Sequence, residues 1–235
     1  MSTENERGPQ GFAELNMAQE SDSTEVWESA YLRFETPEQE IRKFLKRLQR
    51  LGVTSLPRDT GIVELFCGRG NGLHALSRLG FSNLEGVDLS ERLVALYTGP
   101  AKCLVCDCRH LPFSDQSKNV LIVQGGLHHL PTLPDSLDQT FSEMHRVLRK
   151  DGLLVVVEPW MTSFLRFVHW VSDIRLVRRL SDKLDAFAVM REHERRTYEQ
   201  WLNQPKLVLD IAHSRFAPVQ ESFAWGKWLF VGRPL

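Results

Sequence analysis

The residues spaced to do chemistry begin in Gly61 to Gly72, GIVELFCGRGNG, where Glu64 stands four positions ahead of Gly68 and Gly70 and Gly72 follow on alternate positions. A short buried strand that runs into Gly-x-Gly lets backbone N–H groups and a helix N-terminus approach a ligand, because no Cβ blocks the way. That is a nucleotide cradle. Further acceptors fall at the ends of later strand-like runs: Asp88, twenty positions after Gly68, then Asp107, then Gln124. The separation of Asp88 is what a βαβ unit needs to bring a carboxylate onto ribose hydroxyls, which it accepts as a bidentate partner. A lone acid there can instead cap the helix that LSERL begins.

Leu73 occupies the position where the dinucleotide fingerprint G-x-G-x-x-G requires glycine. Glu64 would also repel a pyrophosphate, whereas it answers the cationic end of an amino-acid-like ligand. A nicotinamide-dependent oxidoreductase is therefore disfavoured.

ELFCGRGNG resembles motif I of the class I S-adenosylmethionine-dependent methyltransferases, of the type 11 kind. DCRHLPF is similar to the same family's acid followed by Leu-Pro-Phe, matching at Asp107, Leu111, Pro112 and Phe113. The resemblance covers residues 60–160 and, in outline, the C-terminal hairpin. It implies an α/β fold: a Rossmann-like open twisted sheet of seven mostly parallel strands, a C-terminal antiparallel hairpin, and helices on both faces. It also implies S-adenosyl-L-methionine as cofactor, with S-adenosyl-L-homocysteine as product. In that frame Gly68 and Gly70 admit the backbone, Asp88 holds ribose, and Asp107 meets the exocyclic amine of adenine. Glu64, Leu89, Cys108 and Gln124 complete the expected cofactor set. Asn119 departs from the family's frequent Asp, and QGGL after the fourth strand is not the flat base clamp of nucleic-acid adenine methylases.

His128 and His129 follow where such folds bring the acceptor to the cofactor. A histidine near neutral pKa can take a proton from a hydroxyl as its oxygen attacks the methyl group, and it can equally form a pocket wall. The expected reaction is in-line methyl transfer to a small-molecule, lipid-linked or sugar-like acceptor. A non-catalytic sensor or partner subunit that only binds the cofactor is the alternative. A formal net charge of -1 gives no basic footprint for nucleic acid.

The elements that must position these groups are readable from composition and period. The 235 residues suit one α/β domain with an appendage, and no apolar run is long enough to span a bilayer. No basic start followed by an apolar stretch opens the chain, so a cytoplasmic location with four reduced cysteines is expected. Cys103, Cys106 and Cys108 sit in an apolar strand pattern without a second CxxC, so no metal site is expected. Nothing in the sequence specifies an oligomeric state. Residues 1–24 read as a mobile polar tail, 25–56 as an N-terminal cap helix, 57–160 as the cofactor-binding core, 161–214 as a helical insertion serving as lid or interface, and 215–235 as the terminal hairpin. Thr36, Pro37 and Gln39 write a helix start, Gly52 writes its stop, and Ile41, Phe44, Leu45, Leu48 and Leu51 form its stripe. A further helix is expected over residues 134–149, with a buried strand from Leu153. Between Thr162 and Trp201 the large apolar residues outnumber what one buried helix face can use.

Overall fold

The computed structural model describes residues 29–30, 33–174 and 181–235. The expected tail, residues 1–24, and residues 175–180 of the expected helical insertion lie outside them. Two compact units are present: Pro37–Trp170 with Arg196–Leu235, and the described parts of Met1–Thr36 with those of Val171–Arg195.

The larger unit follows the order α1 (Pro37–Arg50), β1 (Ile62–Leu65), α2 (Asn71–Arg78), β2 (Leu84–Asp88), α3 (Glu91–Val94), β3 (Lys102–Val105), β4 (Lys118–Gln124), α4 (Asp135–Val147) and β5 (Leu148–Pro159). Helix α5 (Ser163–Ser172) follows, α6 (Asp182–His193) belongs to the smaller unit, and α7 (Arg195–Asn203), α8 (Pro205–His213), β6 (Phe216–Ala224) and β7 (Lys227–Pro234) complete the chain. The seven strands lie in the order β3-β2-β1-β4-β5-β7-β6. The first five are mutually parallel, and β7 inserts antiparallel between β5 and β6.

Parallel strands covered on both faces must be apolar on both, and their side chains alternate between two cores. Ile62, Val120, Ile122, Val155, Val157, Leu229 and Val231 join Ile41, Phe44 and Leu48 of α1 and Leu73 and Leu76 of α2 on one side. Val63, Leu65, Leu121, Val123, Leu154, Val156, Trp228 and Phe230 join Leu137, Phe141 and Met144 of α4, Trp201 of α7 and Val208 of α8 on the other. The α1 stripe is used as expected except at Leu45, which is only partly buried. Gly52 ends that segment in a left-handed conformation at φ 73°.

Three boundaries differ from the sequence reading. Strand β3 stops at Val105, so Asp107 belongs to a turn closed by the His110 amide on the Asp107 carbonyl. Helix α4 ends at Val147 rather than at Arg149, and β5 begins at Leu148 rather than Leu153, because Leu148 pairs with Lys118 ahead of an irregularity in the β4–β5 register. An irregular pairing carries no period-2 signal, so the early part of β5 is invisible to a pattern search. In the smaller unit, Ser181 caps α6 by accepting from the Leu184 amide, Lys183 pairs with Glu35 at 2.6 Å, and Phe34 packs on Phe187.

Candidate active site

The register decides which side chains meet at the carboxyl edge of the sheet. Glu64 and Ile62 share a face of β1, and Gln124 shares that face of β4 with Val120 and Ile122. The two polar side chains therefore converge, with Gln124 Nε2 donating to Glu64 Oε1 at 3.4 Å. Their other oxygens, Glu64 Oε2 and Gln124 Oε1, are buried without a hydrogen-bond partner. Burial pushes the Glu64 carboxyl up to about 8, against the opposing hydrogen bond from Gln124. Gly72 is glycine for a local reason: a Cβ there would fall inside the Glu64 carboxylate.

The loop from β1 into α2 is held by its neighbours. Asp88 at the end of β2 accepts the Gly68 amide on Oδ2 at 2.7 Å and the Ser90 amide on Oδ1 at 2.8 Å. The helix cap that Asp88 could have supplied is provided by Ser90, which accepts from the Leu93 amide. Gly70 is left-handed at φ 77° and lies under the Tyr97 ring, so a side chain there would be strained and would clash. From α1, Glu40 Oε2 accepts from Arg69 Nη2 at 2.9 Å and Asn71 Nδ2 at 2.6 Å, tying the loop to a helix 29 and 31 residues earlier in the chain. Leu89, immediately after Asp88, presents its side chain to solvent at 70% exposure. Buried orphan oxygens, a glycine cradle and an exposed apolar side chain beside the ribose-type acid together fit an adenosyl amino-acid ligand.

Asp107 and Cys108 are arranged differently from the rest. The Asp107 carboxylate is engaged by Arg109 through its amide, Nε and Nη2, the last at 2.6 Å, and Arg109 holds its carboxyl below the usual carboxylate range. The Cys108 thiol turns into the core against Thr140, so the main chain is what Cys108 offers a ligand. Cys67 and Cys103 approach one another across Gly86, where a Cβ would lie 2.8 and 3.1 Å from their sulfurs. Cys106 instead donates to the His110 carbonyl.

On the opposite face of the sheet Glu158 ends β5 fully buried, and His128 lies in the single turn Leu127–His129 that follows β4. His128 Nδ1 is 2.7 Å from Glu158 Oε2, while Glu158 Oε1 accepts the amides of Gly126 and Leu127, each at 2.7 Å. Burial would raise the Glu158 carboxyl, yet the facing His128 and the two amides outweigh it and hold it below its ordinary value. An ionised carboxylate only accepts, so the imidazole carries a proton on Nδ1. The His129 ring stands 4.1 Å from that of His128, and Tyr198 meets His128 edge-on while bonding His169 at 3.1 Å.

Glu158 and Tyr198 were not among the sequence-derived candidates. A signal for Glu158 was present, since a lone acid closes five apolar residues at the ligand edge in LLVVVEP. Tyr198 had none, because a helix far along the chain delivers it.

A sheet of this order, with a glycine cradle after its first strand and an acid after its second, is the class I S-adenosylmethionine-binding fold. Residues 63–156 match the family model described as a methyltransferase domain, and the protein is an S-adenosylmethionine-dependent methyltransferase. It is similar to a ubiquinone/menaquinone biosynthesis C-methyltransferase of Campylobacter jejuni, 29% identical over 81% of this chain and 85% of that one. It is also 29% identical to a demethylmenaquinone methyltransferase of Lactobacillus johnsonii, across 62% of this chain and 60% of that protein. Among solved structures, a Pyrococcus horikoshii protein shares the fold at TM-score 0.63 and 22% identity, covering 87% of this chain and 98% of its own. The Burkholderia thailandensis 1,6-didemethyltoxoflavin N1-methyltransferase, solved with its substrate and S-adenosylhomocysteine, does so at TM-score 0.56 and 15% identity, covering 99% and 93%.

Proposed function

We propose that the protein methylates a small aromatic acceptor of the quinol class, with His128 as general base and Glu158 as its positioning residue. The observation that carries this reading is the buried His128–Glu158 pair at the ligand edge of the sheet. In this reading Gly68, Gly70, Asp88, Leu89, Glu64 and Gln124 hold the cofactor, with Asp107 and the Cys108 main chain at the adenine end. S-adenosylmethionine supplies the activated methyl when bound. His128 Nε2 accepts the proton of an acceptor hydroxyl, and Glu158 stabilises the imidazolium that forms. The oxyanion so generated donates electron density to the adjacent ring carbon, which takes the methyl and then loses its proton to solvent as the ring is restored, or is itself the nucleophile.

The quinone-biosynthesis relatives support the acceptor class. A non-catalytic sensor would have no use for a buried histidine–carboxylate pair beside its ligand. The test is S-adenosylhomocysteine formation from a water-soluble, short-chain demethylated naphthoquinol. His128→Ala should lower kcat by about 10² to 10³ and leave S-adenosylhomocysteine affinity unchanged. An undiminished kcat would remove the base assignment, and turnover with simple phenols but never with the quinol would remove the acceptor class.

A further inference from the structure

Helix α5 is built inside out. Leu165 faces the core, while Phe164, Phe167 and Trp170 recur on the opposite side at 45%, 58% and 62% exposure. At helical spacing these three and Arg166 share the outer face, where a surface helix ordinarily carries charge. Beside them stands the tip of the β6–β7 hairpin. Its two-residue loop is Trp225–Gly226, with φ 54° and 74°, and Trp225 is 72% exposed. A turn with two positive φ values prefers Asn-Gly or Gly-Gly, so a tryptophan there is conformationally unfavourable. The chain keeps a strained aromatic in water at the tip of this hairpin.

The surface is also rigid. Thr162 Oγ1 accepts the Leu165 amide that opens α5 and the Gly226 amide of the turn, and the Trp160 amide donates to the Gly226 carbonyl. Phe164 meets Trp225 edge-on at 5.4 Å. The charged residues of SFLRFVHW and AWGK are Arg166 and Lys227, and Asp173, directly after α5, is paired with Arg191. The acid nearest the tip on β6, Glu221, is engaged by Trp228 Nε1 and His213. Trp160 directly follows the Glu158–Pro159 end of β5, so the patch adjoins the candidate site.

We infer that α5 and the Trp225 tip form a docking surface for an anionic phospholipid bilayer. Exposed aromatics flanked by cations, with the adjoining acid Asp173 already paired to Arg191, match the apolar-to-headgroup boundary and its negative potential. A protein partner of matching shape would need an acid to answer Arg166, whereas anionic headgroups present negative charge everywhere on the surface. Among the described residues no helix is long and apolar enough to cross a membrane, so the association is peripheral. The purpose of this surface, access to an acceptor dissolved in lipid, rests on the quinol reading; its geometry does not.

The test is flotation of the full chain with vesicles of phosphatidylglycerol and phosphatidylcholine, against phosphatidylcholine alone, at low and high salt. The expected result is binding that strengthens with phosphatidylglycerol and weakens with salt. Trp225→Gly suits the turn better than the native residue, so it should retain or raise Tm while lowering partition about tenfold. Phe167→Ser with Trp170→Ser should lower it further. Wild-type protein that stays off anionic vesicles overturns the inference. So does equal partition of the Trp225→Gly variant, or a stable dimer in light scattering that Trp225→Gly dissociates. Vesicle binding is read without acceptor, so a quinol that is never methylated overturns the acceptor class while the flotation result stands by itself.

Discussion

Glu64 and Glu158 are both buried carboxylates at one edge of one sheet, and they are tuned in opposite directions. Glu64 keeps an orphan oxygen, and its carboxyl rises to about 8. Between its ordinary value and about 8 the folded protein holds a proton the unfolded chain has lost, so this group's contribution to stability falls as pH rises through that window. Glu64→Gln removes the effect. The Tm difference between variant and wild type, followed by thermal denaturation, should grow from about pH 5 to about pH 8 and then level off. Glu158, with His128 and two amides satisfying it, contributes with the opposite sign: its stabilisation is present above the ordinary carboxylate value and is lost as pH falls through its lowered folded value. Asp88 carries a different load, because its two oxygens already order Gly68 and Ser90. Asp88→Asn should weaken S-adenosylhomocysteine binding in calorimetry by about 2 kcal/mol, the scale of a lost charge-assisted hydrogen bond. An unchanged affinity would take Asp88 out of the cofactor set.

At the scale of elements, the β1–α2 junction shows why glycines recur at alternate positions. Gly68 and Gly70 have left-handed backbones, at φ 52° and 77°, whereas Gly72 is needed for the space its missing side chain leaves to Glu64. Gly72→Ala should expel the Glu64 carboxylate, lowering cofactor affinity and Tm together; Gly72→Ala combined with Glu64→Ala should recover much of the Tm without the affinity. Recovery of neither would mean that the clash lies elsewhere in the helix. The glycine motif was legible in the sequence, as was the arrival of Asp88 after one βα unit. The clamp from Glu40 was not, since the exposed-looking face of an amphipathic helix gives no sign of which acid meets Arg69 and Asn71. Asp107 was read as a strand-end acid, yet it lies in the turn after β3, and its engagement by Arg109, two residues on, follows from a turn that no periodicity announces.

The antiparallel insertion of β7 beside β5 covers what would otherwise be an open parallel edge, and it carries two large buried rings, Trp228 and Phe230. Trp228 is fully buried, with its indole N–H donating to Glu221 at 2.8 Å. Trp228→Ala should cost about 3 to 5 kcal/mol in urea unfolding, and a loss below about 1 kcal/mol would show that the hairpin contributes little to the core. By itself the sequence determined the glycine cradle, the acid after β2 and the terminal hairpin, because each rests on local period, turn chemistry or short-range spacing, whereas the class of sheet was implied by the family resemblance. Tertiary structure alone decided that Gln124 answers Glu64, that Glu158 holds His128, and that α5 turns its aromatics outward. Those pairings depend on strand register and on which helix face the core accepts, and both are fixed by contacts between segments far apart in the chain.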